Sequence, residues 1–369
     1  MSRSVRKRNP RAVIVGAGVW GSTLARLLAE DGVDVELLDA RPFVGGNARA
    51  ETDAKTGIEV HVYGSHIFHT ALPEVWRFVN RFTDFNGYRH KVLARHAGHT
   101  YFMPPSLALV NQFFGVELDP AAAREFMAEP AHRKALFDAF FRHYTAKQWG
   151  MDPERVDPAI IRRVPVRTNW DIGYFNDPWQ GIPLDGYQRF FERMLDHPRI
   201  RLRLGVEFTE ADFVALSPSD EVYYSGPIDR LFDYRLGRLA WRSLRFEIRH
   251  LSTADFQGTA VVNYPDADVR FTRIHEYKHY HPERTGLMAL DKTVVCREYP
   301  VAWRRGLEPY YPVRDAASLA LHARYLELAR SGPCRNFTVG GRLGGYEYLD
   351  MDKAIAGAMA CHAMRKGQK

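Results

Sequence analysis

Gly16-Ala17-Gly18-Val19-Trp20-Gly21 places glycines at the G-x-G-x-x-G spacing. The apolar run Ala12-Val13-Ile14-Val15 precedes it, and Leu24, Leu27 and Leu28 follow at helical spacing. Val33-Asp34-Val35-Glu36-Leu37-Leu38 then reads as a second strand, closed by Asp39. Each glycine has a physical use: Gly16 makes the tight turn, Gly18 lets backbone approach a pyrophosphate, and Gly21 lets helix and strand pack closely. The helix N-terminus faces the anion, and Asp39 is placed to accept from a ribose 2′-hydroxyl. The spacing predicts a βαβ dinucleotide-binding unit.

Other groups could do chemistry. His61, His66 and His69 have H-x4-H-x2-H spacing, but no carboxylate or thiolate completes a ligand set, so no metal site is expected. There is no G-x-S-x-G and no Ser/His/Asp arrangement. Phe140 and Tyr144 stand i,i+4 on one helix face with Trp149 at its end, a pattern that serves a helix core or a stacking surface. Arg162, Arg163 and Arg167 are rivals by spacing for holding an anion. Cys296, Cys334 and Cys361 are few, distant and odd in number, which argues against a disulfide framework and for a reducing, cytoplasmic setting.

The elements that must position these groups form a discontinuous pattern. Residues 73–163 read as mainly helical, with signals at Glu74–Phe82, Pro105–Phe114, Pro120–Met127 and Arg133–Gln148. A Gly/Pro/Asn-rich stretch runs from Pro165 to Tyr187. Short strands follow at Ile200–Leu204, Glu221–Tyr224, Arg245–His250, Thr259–Asn263, Phe271–Glu276 and Thr293–Glu298, then a helix near Ala316–Ala329, a strand at Asn336–Val339 and a helix from about Asp352. The pattern predicts an α/β chain in which a nucleotide-binding Rossmann-like domain (11–83, 188–235 and 312–369) carries an inserted helical domain (100–163) and an antiparallel sheet domain (84–99, 164–187 and 236–311). Residues 1–10 read as a flexible basic tail. Hydrophobic residues make up 46% and charged residues 26%, which excludes a wholly disordered chain. Net charge is +7, but Arg3, Arg6, Lys7, Arg8 and Arg11 crowd the start, so the body is too mildly basic to suggest nucleic acid. No apolar run approaches the roughly 20 residues of a membrane span.

FAD is favoured over NAD by a second glycine pair, Gly45-Gly46-Asn47, which resembles the extended signature of glutathione-reductase-like flavoproteins. Beyond this, His61–Thr70, Tyr144–Gly150, Pro165–Arg167, Tyr174–Asn176, Gln180–Pro183, Tyr224–Pro227, Phe271–Ile274, Glu298-Tyr299, Pro309–Pro312 and Gly341–Asp352 resemble, in order, the hallmarks of bacterial UDP-galactopyranose mutases. The resemblance implies an isomerase that interconverts UDP-galactopyranose and UDP-galactofuranose through a covalent flavin N5–galactose C1 adduct on reduced FAD, feeding cell-wall biosynthesis. It implies Arg163 and Arg273 on the diphosphate and His66 beside the flavin as catalytic groups. It assigns the uridine to Phe140, Tyr144, Trp149, Tyr174, Phe175 and Asn176. Tyr311 and Tyr348 would contact the diphosphate, Asn263 and Glu298 the sugar, and Asp350 the flavin end. Cofactor contacts would come from Gly16, Gly18, Gly21, Asp39, Gly45, Gly46, Asn47, His61 and His69, and at the far end from Arg342, Tyr348, Leu349, Asp350 and Met351. A reductant such as NAD(P)H and a homo-oligomer are also implied. Two departures stand out. The stretch between Ala128 and Phe137 is shorter than the pattern, which bears on dimer contacts. Position 65 is Ser where the pattern commonly has Pro, which implies a less rigid loop. The alternatives are an FAD-dependent oxidoreductase acting on another substrate and a non-catalytic nucleotide-sugar-binding module.

Overall fold

The computed structural model describes residues 11–155, 166–334 and 336–367; the basic start and the stretch carrying Arg162 and Arg163 lie outside them. One sheet has five strands in the order Asn336–Val339, Glu221–Tyr224, Arg11–Val15, Asp34–Asp39, Ile200–Leu204, all paired parallel. Its strands come from three separate stretches of chain. Apolar runs make such strands because both faces are covered. On one face helix Val19–Glu30 packs against Met351–Gly367. Ile14, Leu24, Leu28 and Leu37 are fully buried there, and each contributes roughly 1.5–3 kcal/mol relative to exposure.

The second sheet has seven strands, in the order Tyr311–Pro312, Trp241–Leu251, Thr293–Ala302, Arg273–Glu276, Val261–Asn263, Val92–His96, His99–Met103. Its pairings are antiparallel except that of Val261–Asn263 with Val92–His96, which is parallel because those strands arrive from distant parts of the chain. The hairpin Val92–His96/His99–Met103 corrects the mainly helical reading of 73–163, and it moves a strand across the expected 99/100 boundary. Ala97 and Gly98 form its two-residue turn, both at positive φ (48° and 81°). That geometry matches strand twist, but Ala at the first position hides the signal.

Helices Leu107–Phe114, Pro120–Phe126, Pro130–Phe137 and His143–Trp149 follow. The last two are joined by a π-helical turn, Asp138–Arg142, instead of running as one α-helix. A π turn widens the spiral and changes which residues share a face. Among the described residues no helix is long and apolar enough to cross a membrane.

The tightest requirement beside the first sheet is at Gly21 in helix Val19–Glu30, where a Cβ would lie 2.0 Å from the Gly16 carbonyl oxygen. Gly21→Ala should therefore destabilise the protein by about 3 kcal/mol, the upper range of overpacking costs. Gly286→Ala, where an added Cβ meets nothing within 4 Å, should change stability by less than about 0.5 kcal/mol. Urea midpoints measure both, and equal midpoints for the two variants would refute the packing argument.

Candidate active site

One cavity lies over the glycine turn, walled by Gly18, Val19, Gly45, Gly46, Gly341 and Leu343 among others. Helix Val19–Glu30 starts at Gly18 with no side-chain cap and no acid in its first turn, so its leading N–H groups are left for an anion. Gly45 N donates to Ala17 O at 2.8 Å. A Cβ on Gly46 would come within 2.9 Å of Gly18 Cα, so the backbone segments touch as a diphosphate cradle requires. Asp39 is buried, and its carboxylate accepts from Ala17 N and Arg41 N, each at 2.8 Å. It fastens the glycine turn directly. Asn47, Arg342, Leu349, Asp350 and Met351 line this cavity. So does Arg41, which sequence reasoning missed; its guanidinium donates to Asn47 Oδ1 at 3.0 Å.

A second cavity begins where the first ends: His66, Arg342, Asp350 and Met351 wall both. Its floor is set by strand register. Phe246 pairs with Glu298, Glu298 with Arg273, and Arg273 with Asn263, so an acid, a cation and an amide stand side by side. Arg273 Nε lies 3.2 Å from Glu298 Oε1, and its NH2 donates to Tyr144 Oη at 2.5 Å. Burial pushes the Glu298 carboxyl up, but Arg273 and His275 together hold it below its ordinary value. Asn263 Oδ1 is buried without a partner, an acceptor left for a ligand. Above the row, Tyr311 stacks on Tyr348 with centroids 5.5 Å apart, and Arg342 sits 5.2 Å over Tyr348.

The histidines separate into different roles. His66 Nδ1 contacts Gly64 O at 2.6 Å. A carbonyl only accepts, so Nδ1 carries the proton and Nε2 is an acceptor at the shared wall. Burial, then Arg342, lowers the His66 pKa to about 4, so it is neutral at pH 7. His61 is buried and accepts from His66 N at 3.0 Å; it supports the loop and lines neither cavity. His69 lines the second cavity only, stacked on Phe175 at 3.7 Å and paired with Asp177 at 2.5 Å. Ser65, expected to loosen this loop, fastens it instead through His275 Nδ1 at 2.5 Å and Tyr280.

Tyr174 and Phe175 line the second cavity. Asn176 is occupied: Arg167 donates to its Oδ1 and to Asp171 O and Gly173 O, so Arg167 shapes this loop. Trp149 stands 6.2 Å from Tyr311 at the edge of the site. Phe140 is a correction. It is 3% exposed and packs against Tyr101, Phe113 and His96; the π turn puts it in the core while Tyr144 faces Arg273. Arg163 lies outside the described residues. His90 was also missed. It lines the cavity, stacks on Phe175 at 5.7 Å and accepts at its backbone oxygen from Tyr174 N at 2.8 Å. No local motif marks it; only the fold brings it here.

Known proteins give the same outline. The family model for UDP-galactopyranose mutase matches residues 139–348, and that for an NAD(P)-binding Rossmann-like domain matches 14–82. A probable UDP-galactopyranose mutase of Klebsiella pneumoniae is 39% identical over 95% of this chain and 93% of its own. A dTDP-fucopyranose mutase of Escherichia coli is 37% identical over 95% of this chain and 97% of its own. The crystal structure of a reduced UDP-galactopyranose mutase matches with TM-score 0.69 over 98% of this chain and 96% of that one at 14% identity, which shows a shared fold.

Two outcomes follow from this geometry. Phe140→Leu should lower stability by about 1–2 kcal/mol while leaving uridine nucleotide affinity unchanged by calorimetry; a large loss of affinity would return Phe140 to the site. Burial lowers the pKa of His61 to about 3, His66 to about 4 and His90 to about 3. Below about pH 6.5 the unfolded chain therefore binds more protons than the folded one. Stability should fall as pH drops from about 6.5 toward 4, by up to about 1.4 kcal/mol per pH unit for each such histidine. Urea midpoints at pH 5, 6 and 7 should show a shallower slope for His90→Gln than for the wild type, and an unchanged slope would contradict a neutral buried His90.

Proposed function

The chain belongs to the UDP-galactopyranose mutase family, and from that premise we propose that it interconverts UDP-galactopyranose and UDP-galactofuranose with FAD in its reduced form in the first cavity. The observation that carries this reading is the shared wall. A cleft built for an anionic sugar nucleotide, with Arg273 on its floor, opens onto the dinucleotide cavity at His66, Arg342, Asp350 and Met351. The uncapped helix end at Gly18 and the Gly18–Gly46 contact fit an FAD diphosphate.

The reaction breaks the anomeric C1–O bond to UDP, transfers ring closure from O5 to O4, and re-forms the bond with no net oxidation. Bound, reduced FAD would supply the nucleophile for the anomeric carbon. The protein's own part is electrostatic and positional. Arg273 is a permanent cation held in place by Glu298 and Tyr144, and it would meet the negative charge that grows on the departing diphosphate. Arg163 would add a second cation. Tyr174 and Phe175 offer faces for the uracil, worth about 1–3 kcal/mol per stacked ring. Tyr311 and Tyr348 would meet the diphosphate, and Asn263 and Glu298 the sugar hydroxyls. His66, neutral with Nε2 as acceptor, orients groups and has no proton to give from that atom at pH 7. A cytoplasmic setting, a cellular reductant such as NAD(P)H, and a homo-oligomer belong to the same reading. So do the domain roles, with cofactor on the parallel sheet and sugar on the seven-stranded one.

The dTDP-fucopyranose mutase relative favours one second reading, in which the substrate is a dTDP-6-deoxysugar turned over by the same isomerisation. An oxidoreductase would consume a stoichiometric oxidant, and an isomerase would not. The test is anaerobic incubation of dithionite-reduced, FAD-loaded protein with UDP-galactofuranose and, in parallel, the dTDP-fucose pair, followed by product separation. UDP-galactopyranose should form with reduced protein only. Arg273→Ala should lower kcat/KM by about a thousandfold or more with FAD retained, and Arg273→Lys should recover only part, since one ammonium lacks the planar fork. After a cyanoborohydride quench, the released cofactor should show the mass of FAD plus a hexosyl group. Isomerisation by oxidised protein, or normal turnover by Arg273→Ala, would sink the proposal.

A further inference from the structure

Beneath the sugar row, four buried or half-buried groups from different parts of the chain are joined end to end. Tyr280, fully buried, contacts Ser65 Oγ. Ser65 Oγ lies 2.5 Å from His275 Nδ1. His275, also fully buried, has its Nε2 3.1 Å from Glu298 Oε2. Glu298 Oε1 faces Arg273 Nε at 3.2 Å and has no hydrogen-bond partner. Resting on the mutase reading above, we infer that Ser65 and His275 are positioning residues that fix the Glu298 carboxylate, committing Oε2 inward and leaving Oε1 to Arg273 and the sugar.

The chain has one direction. Glu298 is an anion and can only accept, so His275 Nε2 must carry the proton. Burial lowers the His275 pKa, which keeps the ring neutral with Nδ1 as a lone pair. Ser65 must then donate to Nδ1. Its only proton is spent, so the Tyr280 hydroxyl must donate to Ser65. Every proton in Tyr280→Ser65→His275→Glu298 has one place to be, which locks both the tautomer and the carboxylate. Ser65 also ties this chain to the shared wall, because it precedes His66 and lines the same cleft.

Other groups around Glu298 do not replace this function. Arg273 supplies charge from the same strand as His275 but meets the other oxygen. His66 is neutral above about pH 4. Tyr144, Tyr310 and Tyr311 are pushed above their ordinary values by burial and carry no charge near neutrality. The same holds for Tyr277 and Tyr280 from the 277–280 turn, and for Cys296, pushed up to about 12. The proton on His275 Nε2 is therefore the partner that commits Glu298 Oε2.

The test reads Glu298 itself. Difference infrared titration of FAD-loaded wild type against Glu298→Gln isolates its carboxylate band. His275→Leu should raise the midpoint of that band by about one pH unit or more, because a hydrogen bond to the charged form is lost. Ser65→Ala should raise it by less, through loss of the tautomer lock. His275→Gln, which keeps a donor at the Nε2 position, and Ser65→Thr, which keeps the hydroxyl, should hold the midpoint near the wild-type value. The acid limb of kcat/KM should move with the band. A role confined to packing would lower thermal stability and leave band and limb unmoved. An unmoved band in every variant that retains FAD overturns the inference, and Ser65→Ala decides alone if His275→Leu does not fold. Wild-type protein without isomerase activity would instead refute the mutase reading, since the infrared shift needs no substrate.

Discussion

A guanidinium cannot shed its proton, so a protein that sets one into a sheet must surround it with groups that tolerate the charge. Arg273 is that group here, and much of the structure is arranged around it. Glu298 stands beside it in register and Tyr144 takes its outer N–H. The pair is held among buried residues, where removing either partner would leave an uncompensated charge and cost several kcal/mol. Glu298 Oε1 and Asn263 Oδ1 in the same row have no hydrogen-bond partner, so both stay available as acceptors.

The row acts only because the other sheet meets it. The parallel sheet brings a helix end, two glycine segments and the Arg342–Met351 stretch to one place. The seven-stranded sheet brings the cation there from the opposite side. His66 stands between them, and its loop is held at three points: His61 under its backbone, the Gly64 carbonyl at its ring, and Ser65 through His275. A neutral acceptor at a shared wall suits ligands whose reactive ends meet there. Had His66 been charged, it would have placed a second cation next to Arg342 at the seam.

The sequence made legible whatever is carried by local spacing. The glycine turn, Asp39 and the second glycine pair are contiguous motifs, and strands such as Ile200–Leu204, Glu221–Tyr224 and Asn336–Val339 have the predicted limits because short stretches of β-branched, aromatic or alternating apolar residues bounded by turn residues define them. Arg273, Glu298 and Asn263 were legible as candidates only through family resemblance, and their alignment in one row depends on register between strands far apart in sequence. Phe140 was drawn to the uridine group by the resemblance, whereas the helix core that the i,i+4 pattern also allowed is where it lies, parted from Tyr144 by the π turn. The hairpin at 92–103 was hidden by alanine in a turn that usually announces itself with asparagine or glycine. Arg41, His90 and the Ser65–His275 contact have no local signature at all. They join the site through tertiary packing, which single-residue spacing does not encode.

The helical insertion looks peripheral by sequence, yet it is bolted to the row. Lys147 lies one turn beyond Tyr144 and reaches across to the 264–271 segment, donating to Tyr264 O at 2.6 Å and to Asp266 O and Val269 O at 2.9 Å. Burial lowers its pKa to about 8, so at pH 7 it still carries the charge that these carbonyls solvate. Arg242 meets the same helix end, donating to Gln148 O at 2.9 Å and Lys147 O at 3.3 Å, where the helix dipole is negative. The 264–271 segment leads into Arg273, and Arg242 lies near the start of the strand that pairs with Glu298. The two clamps therefore join the helix holding Tyr144 to the strands holding its partners. Distance between Tyr144 and Arg273 is set by two charge-assisted contacts, each at a helix turn or loop end, instead of by the small contact between the two side chains. This is the physical reason a tyrosine on an inserted helix can serve a cation on a distant sheet with hydrogen-bond accuracy.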